Sequence, residues 1–299
     1  TSASIVTLMF GCVLPATAQF TDWSAPVNLG PPVNSAYVDS CVAISKDGLS
    51  LFFSSNRQTG DPASPDRDRY VSKRASVDAP WELPVSLTML NSPQWDSCPA
   101  LSLDEHRLYF TSARPGGYGV EDLWVSRRHD RRDNFGWGPA VNLGPNINTE
   151  GRDLMPALFE DEQGRVIMYF VRAPANQIYQ SVMSGDDTFG PAAPVPELNS
   201  PYVNFSPVVR RDGLEVIFTS NRPNGSPTYN NLSLDFWVST RASTADAWSP
   251  PVYVPSLGSP AWAGGRIALS FDGRELYFVS GRTGDWDLWV ATRERRRGK

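Results

Sequence analysis

Short apolar runs separated by polar turn residues recur along the chain, and this spacing predicts strands rather than helices. The clearest run ends in Ser-x-Arg or a degenerate form of it, and it recurs every 50 to 60 residues at Arg57, Arg114, Arg172, Arg222 and Arg282. A second apolar run lies upstream of each copy, and in most copies Asp-Gly joins the two. Glycine there accepts the positive φ of a tight turn, so each pair of runs predicts a β-hairpin.

Two further segments complete each repeat. A third strand carries Asp-x-aromatic-Val in four copies, and a fourth begins with an aromatic residue and a proline. Proline suits an exposed edge, where a missing N–H donor costs least. Five repeats of four strands predict an all-β, five-bladed β-propeller of four-stranded blades. An orphan strand at residues 23–29 is expected to complete the last blade and close the ring.

The expected organisation is a signal peptide at residues 1–18, truncated at its start, and one propeller domain at residues 19–299. Residues 5–14 are almost unbroken apolar, and Ala16-Thr17-Ala18 gives the small-x-small pattern of a cleavage site. We expect a periplasmic or secreted protein without a membrane span; lipid anchoring at Cys12 is the second alternative, because Met9-Phe10 match a lipobox poorly. The repeats are predicted at approximately 37–90, 94–147, 151–199, 202–257, and 262–293 plus 20–30.

Net charge and the positions of the cysteines limit the expected ligands and cross-links. A net charge of −5 gives no basic footprint for nucleic acid. Cys41 and Cys98 occupy equivalent positions in successive repeats, and repeat symmetry suggests that their side chains point the same way. Buried free thiols are therefore favoured over a disulfide.

The Ser-x-Arg-x-Gly and Asp-x-Trp-Val motifs, with their upstream Ser-x-Asp-Gly turns, resemble the WD40-like PD40 repeats of TolB-type propellers. The resemblance covers nearly all of the mature chain. It implies an exported bacterial propeller and, by analogy with TolB, contacts with other envelope proteins. TolB has six blades and an extra N-terminal domain, and the third repeat here departs most from the pattern.

The residues just before the predicted inner strands are the main candidates for a site. Inner strands line the central channel, so these residues are expected to converge at one mouth; in repeat order they are Asp39, Asp96, Asp153, Asn204 and Gly264. The three carboxylates would suit a divalent cation such as Ca²⁺ or glycoside cleavage. Capping of strand amides by these groups is the favoured alternative.

Neighbouring residues extend this candidate site. Glu150 and Arg152 would add charge, and Trp95, Tyr202 and Trp262 would form a stacking rim or pack between blades. The repeated arginines are interpreted as structural, each paired with the aspartate that opens the next strand.

These observations favour a non-enzymatic envelope or secreted interaction module. It would act as a monomer, without a cofactor, and bind a protein, peptide or glycan at one propeller face. The alternative is a glycoside hydrolase or lyase that uses Asp39, Asp96 and Asp153, with a bound cation as an option.

Overall fold

Five antiparallel sheets form the blades of a propeller in the computed structural model, which describes residues 19–61, 66–224, 234–259 and 264–296. The predicted signal peptide, with Cys12, and Trp262 lie outside the described residues. The strands, in chain order, are β1 (Val27–Asn28), β2 (Asp39–Ile44), β3 (Ser50–Ser55), β4 (Asp68–Lys73), β5 (Val85–Ser86), β6 (Asp96–Leu101), β7 (Arg107–Ser112), β8 (Asp122–Arg127), β9 (Val141–Asn142), β10 (Arg152–Glu160), β11 (Val166–Ala173), β12 (Gln177–Gly185), β13 (Thr188–Phe189), β14 (Ala193–Pro194), β15 (Asn204–Val209), β16 (Glu215–Ser220), β17 (Asp235–Thr240), β18 (Val252–Tyr253), β19 (Gly265–Leu269), β20 (Glu275–Ser280) and β21 (Asp287–Thr292).

Blade five confirms the predicted ring closure. Its sheet runs β19, β20, β21 and then β1, so a strand from near the start of the chain takes the outer place. Val27 pairs with Val290, and Asn28 pairs with Trp289. The all-β, five-bladed architecture predicted from the repeats is likewise confirmed. Within the described parts of the chain, no helix has the length and hydropathy needed to cross a membrane.

The core consists of apolar clusters between neighbouring blades. Side chains alternate along each strand, so the middle strands send successive residues to opposite faces. Phe52 of β3 packs with residues of blade two, such as Leu108, whereas Phe53 packs with residues of blade five, such as Tyr277. The doubly apolar middle strands that marked the repeats in the sequence are therefore buried on both faces.

Every inner strand contains a bulge at the same place, and this bulge determines which side chains reach the channel. The register of each inner strand shifts within its first half, as between Ser40 and Ala43 in β2. The residue within the shift has a positive φ of 48° to 56° in all five blades, at Cys41, Cys98, Met155, Ser206 and Arg266. Bulges re-aim side chains, and here five equivalent residues form one layer of the channel, which we call the channel ring.

The prediction of free thiols is wrong, because Cys41 and Cys98 form a disulfide between β2 and β6, with their Cα atoms 4.5 Å apart. Rotation about the channel axis does not keep inward-pointing side chains parallel. It turns neighbouring ones toward a common centre, so two adjacent members of the channel ring meet.

Candidate functional site

The aspartates that open the inner strands are buried and bound to the repeated arginines. Asp39, Asp96 and Asp153 have no exposed surface. Asp39 Oδ1 lies 2.6 Å from Arg57, and Asp153 Oδ1 lies 2.8 Å from Arg172. The second oxygen of each accepts a backbone N–H from the preceding loop, as from Ser35 to Asp39 at 2.7 Å. These carboxylates therefore join the inner strand, the loop before it and the arginine.

This arrangement corrects two expectations. The repeated arginines bind the residue that opens the inner strand, not the aspartate of the next strand; Arg222 follows the same rule with Asn204 Oδ1 at 2.5 Å. The three aspartates do not present open oxygens at a channel mouth. Among the described residues, no group of three or more His, Cys, Asp or Glu is placed to hold a metal ion.

Blade five replaces the acid with an apolar contact. At Gly264 the equivalent space is taken by the ring of Phe236, which stacks edge-to-face on Phe278 with centroids 4.9 Å apart. Arg282 of this blade donates instead to the carbonyl of Leu257 at 2.7 Å.

The channel ring divides the channel into two parts. Arg266 N–H donates to Ser206 Oγ at 2.7 Å, and Ser206 Oγ donates to Met155 Sδ at 3.2 Å, next to the disulfide. On the side of the turns that join the first and second strands of the blades lies a cavity of about 130 Å³, lined mainly by aliphatic residues of the inner strands. The opposite side carries a charged and aromatic set of residues.

We call this set the charged mouth; it comprises Arg67, Trp95, Glu121, Arg152, Arg266 and Trp286. Three of its members immediately precede the first residue of a third strand. Their carbonyls accept an N–H from the start of the next blade's inner strand: Arg67 from Asp96 at 3.0 Å, and Glu121 from Asp153 at 2.8 Å. This backbone pairing places the residue before each repeated Asp at the entrance of the channel.

Cations and aromatic rings alternate in the charged mouth. Arg67 lies between two indoles, 5.6 Å from the ring centroid of Trp95 and 5.7 Å from that of Trp286. Arg152 lies 5.7 Å from Trp95, and Arg266 lies 5.1 Å from Trp286. Such distances allow cation–π attraction, which holds the guanidinium groups over ring faces.

Burial shifts the pKa values of charged groups in the charged mouth. Glu121 is 4% exposed and bonds Arg152 Nε at 2.6 Å. Burial raises the pKa of the Glu121 carboxyl, although Arg152, Arg266 and Arg67 oppose that shift. Burial also lowers the pKa of Arg266 to about 9; Arg67 and Arg152 repel its charge, and Glu121 favours it. Three guanidinium groups thus share one carboxylate.

The other predicted residues lie at or near this mouth. Glu150 is exposed in the loop that enters β10, two residues before Arg152. Tyr202 is 39% exposed, and its carbonyl accepts Nδ2–H of Asn204 at 2.8 Å on the blade-four side.

Sequence reasoning missed Arg67, Glu121, Arg266 and Trp286. For three of them the overlooked signal was variation within the repeat: the residue before the third-strand Asp, or before its counterpart Gln177, is Arg67, Glu121, Asn176, Leu234 or Trp286.

Solved structures with this fold include several glycan-cleaving proteins. The catalytic domain of an α-L-arabinofuranosidase of family GH62 from Coprinopsis cinerea matches with a TM-score of 0.62 at 13% identity, over 94% of this chain and 98% of that one. An endo-arabinase from Bacteroides thetaiotaomicron has a TM-score of 0.58 at 18% identity, over 93% of this chain and all of the other. A Bacillus subtilis arabinanase has a TM-score of 0.58 at 12% identity, over 90% and 97%. Neither a protein-family model nor a curated protein matches the sequence.

These findings correct two further predictions. The TolB-type resemblance is wrong: no family model supports it, and the five-bladed fold matches arabinofuranosidases and arabinanases. The prediction of a non-enzymatic interaction module is also wrong. It rested on the lack of a nucleophile, histidine base or cofactor motif, whereas glycosidases need only two carboxyl groups. At these identities the likeness shows the fold alone.

Proposed function

We propose that the protein is a glycoside hydrolase whose active site is the charged mouth. The observation that carries this proposal is Glu121, a buried carboxyl with a raised pKa that lies among Arg152, Arg67 and Arg266 at the channel entrance. A carboxyl group of this kind suits a general acid, because it keeps its proton to a higher pH than an exposed one. Neighbours of the same fold that are described as arabinofuranosidases and arabinanases support the proposal.

Glu121 is the proton donor and Glu150 is the base. Val120 N–H donates to the carbonyl of Gly151 at 2.9 Å, so the segments that carry the two glutamates run side by side. Glu121 protonates the glycosidic oxygen as the bond to the anomeric carbon breaks. Water adds to that carbon and gives its proton to Glu150, and solvent then returns both residues to their starting states.

Arg152 and the tryptophans assist this reaction. Arg152 stabilises the Glu121 carboxylate that remains after proton donation, because it already contacts Glu121 Oε2 at 2.6 Å. Exposed parts of Trp95 and Trp286 offer apolar surface to a sugar ring.

Hydrolysis of a panel of arabinan, arabinoxylan, uronate-containing glycans and aryl glycosides tests the proposal. Removal of a general acid typically costs 10² to 10⁴ in rate, and we expect about this loss for Glu121→Gln and Glu150→Gln. Glu162→Gln, an exposed residue of the β10–β11 turn, is the matched control and should retain full activity. The wild-type rate should fall as the pH rises through the pKa of Glu121, because the acid must be protonated. Wild-type inactivity on every glycan, or an unaffected Glu121→Gln variant, contradicts the proposal.

We also propose that the protein works outside the cytoplasm. The Cys41–Cys98 disulfide supports this location, because such bonds persist mainly in oxidising compartments. Fractionation of expressing cells, with mass determination of the mature N-terminus, tests it. A reduced, uncleaved protein in the cytoplasm would contradict it.

A further inference from the structure

The charged mouth contains guanidinium donors without acceptors. Nε and Nη1 of Arg266 and Nε of Arg67 are buried, and none has a hydrogen-bond partner within the described structure. Neither arginine has a carboxylate oxygen within 4 Å among these residues, since Glu121 contacts Arg152. Buried donors, especially charged ones, carry a desolvation cost unless they are bonded.

The arginines that repeat once per blade do not share this shortage. Arg57, Arg114 and Arg172 each bind a buried aspartate, and Arg222 binds Asn204. Arg69 also has unbonded N–H groups, but it pairs with Asp96 and lies 3.8 Å from the ring centroid of Phe110. Arg266 and Arg67 each have an aromatic neighbour, but their nearest charge partner, Glu121, forms its ion pair with Arg152. Their missing partner is therefore an acceptor that enters through the mouth.

Two uncharged groups of the segment that enters β6 also have no partner. Trp95 Nε1 is a buried donor, and Gln94 Oε1 is a buried acceptor; neither has a hydrogen-bond partner in the described structure. A sugar hydroxyl both donates and accepts, so a pyranose or furanose ring can satisfy both groups. The planar guanidinium groups, in turn, match a carboxylate through paired N–H···O bonds.

We propose that the charged mouth recognises a sugar acid: the carboxylate of a uronate unit binds Arg266 and Arg67, and its hydroxyls bind Trp95 Nε1 and Gln94 Oε1. The inference rests on the proposed function, in which a glycan occupies this mouth, and it specifies the substrate class as an acidic glycan. Glu121 is the only carboxylate of the set, so its proton state also controls how strongly the mouth attracts an anion.

Calorimetric titration of the full chain with a short oligomer of galacturonic acid tests this inference. The methyl ester of the same oligomer is the matched ligand, since it keeps the sugar and removes the charge. We expect at least tenfold tighter binding of the free acid, and a difference that shrinks as salt is added. Equal affinity for acid and ester overturns the inference. Equal affinity for inorganic phosphate at the same sites reduces the mouth to a simple anion site, which also overturns it.

Arginine variants test which side chains bind the carboxylate of the ligand. Arg67→Gln and Arg266→Gln should each weaken binding of the acid at least tenfold while leaving the ester unaffected. If Arg266→Gln fails to fold, Arg67→Gln, at a less buried position, decides the question. Arg131→Gln, an exposed residue of the loop that follows β8 on the opposite face, is the control and should bind like the wild type.

Glu121→Gln separates this inference from the proposed function. Loss of the competing carboxylate should tighten binding of the acid several-fold, although the same change should lower the rate of hydrolysis about 10²- to 10⁴-fold. Tight binding of the acid without cleavage of any glycan refutes the proposed function alone. Cleavage of neutral glycans without preference for the acid refutes the present inference alone.

Discussion

Two sets of arginines in the same propeller have opposite surroundings. Those that repeat once per blade, such as Arg114, each find an oxygen acceptor supplied by the same blade or the loop before it. Those of the charged mouth, such as Arg266, come from positions where the five blades differ, and they outnumber their acceptors. The difference indicates that repeated residues build the scaffold, whereas a ligand site arises where the repeat varies.

The largest loss of stability is expected from a variant that breaks one of the repeated ion pairs. Asp96 accepts from both Arg114 and the fully buried Arg69, so Asp96→Ala leaves two guanidinium groups without their carboxylate. We expect a loss of about 5 kcal/mol in the free energy of unfolding, measured by urea denaturation. Asp96→Asn should cost only about 2 kcal/mol, because an amide oxygen still accepts, as Asn204 does in blade four. Equal losses for the two variants would argue against this account.

The second largest loss of stability is expected when the disulfide of the channel ring is removed. The bond closes a loop with a sequence separation of 57, and a loop of this length gives about 4 kcal/mol in the chain-entropy model. The double variant Cys41→Ala/Cys98→Ala and the reduced wild type should therefore show similar lowered midpoints in denaturant. An unchanged midpoint on reduction would show that the bond does not constrain the unfolded chain.

A smaller effect is expected where blade five departs from the scaffold rule. A Cβ at Gly264 would overlap the ring of Phe236 and lie 3.2 Å from the carbonyl oxygen of Val279. Gly264→Ala should therefore cost about 2 kcal/mol through overpacking, measured by thermal unfolding. Gly185 in blade three has open space around its Cα, so Gly185→Ala serves as the control and should be near neutral. Equal stability of the two variants would contradict the close approach of Phe236.

The fold could be predicted because it is repeated. Apolar middle strands, turn glycines and proline-led edges each carry a local signal, and five copies exclude most other architectures. The orphan strand around Val27 even indicated how the ring closes, since one blade otherwise has three strands.

The site could not be predicted in the same way. Asp39 and its equivalents were predicted to form the site because they occupy the same position in successive repeats. Residues at the same repeat position share a structural role, which here is the ion pair with the repeated arginine. The bulge that turns Arg266 toward the channel depends on a register shift between paired strands, and no single strand shows it. The Cys41–Cys98 bond was missed for a related reason, because its geometry follows from rotation about an axis and not from the local chain.

The closure of the ring by β1 in blade five also makes the order of synthesis matter. Val27 pairs with Val290, and about 5 to 20 residues are added per second, so its partner is made roughly 13 to 53 seconds later. During that interval β1 has no β21 to pair with, so its backbone N–H and C=O groups are unpaired. It is only two residues long, and Pro26, Pro31 and Pro32 flank it, so it offers few backbone groups to a wrong neighbour. Because β1 is short and flanked by prolines, it can remain unpaired until β21 is synthesised without promoting aggregation.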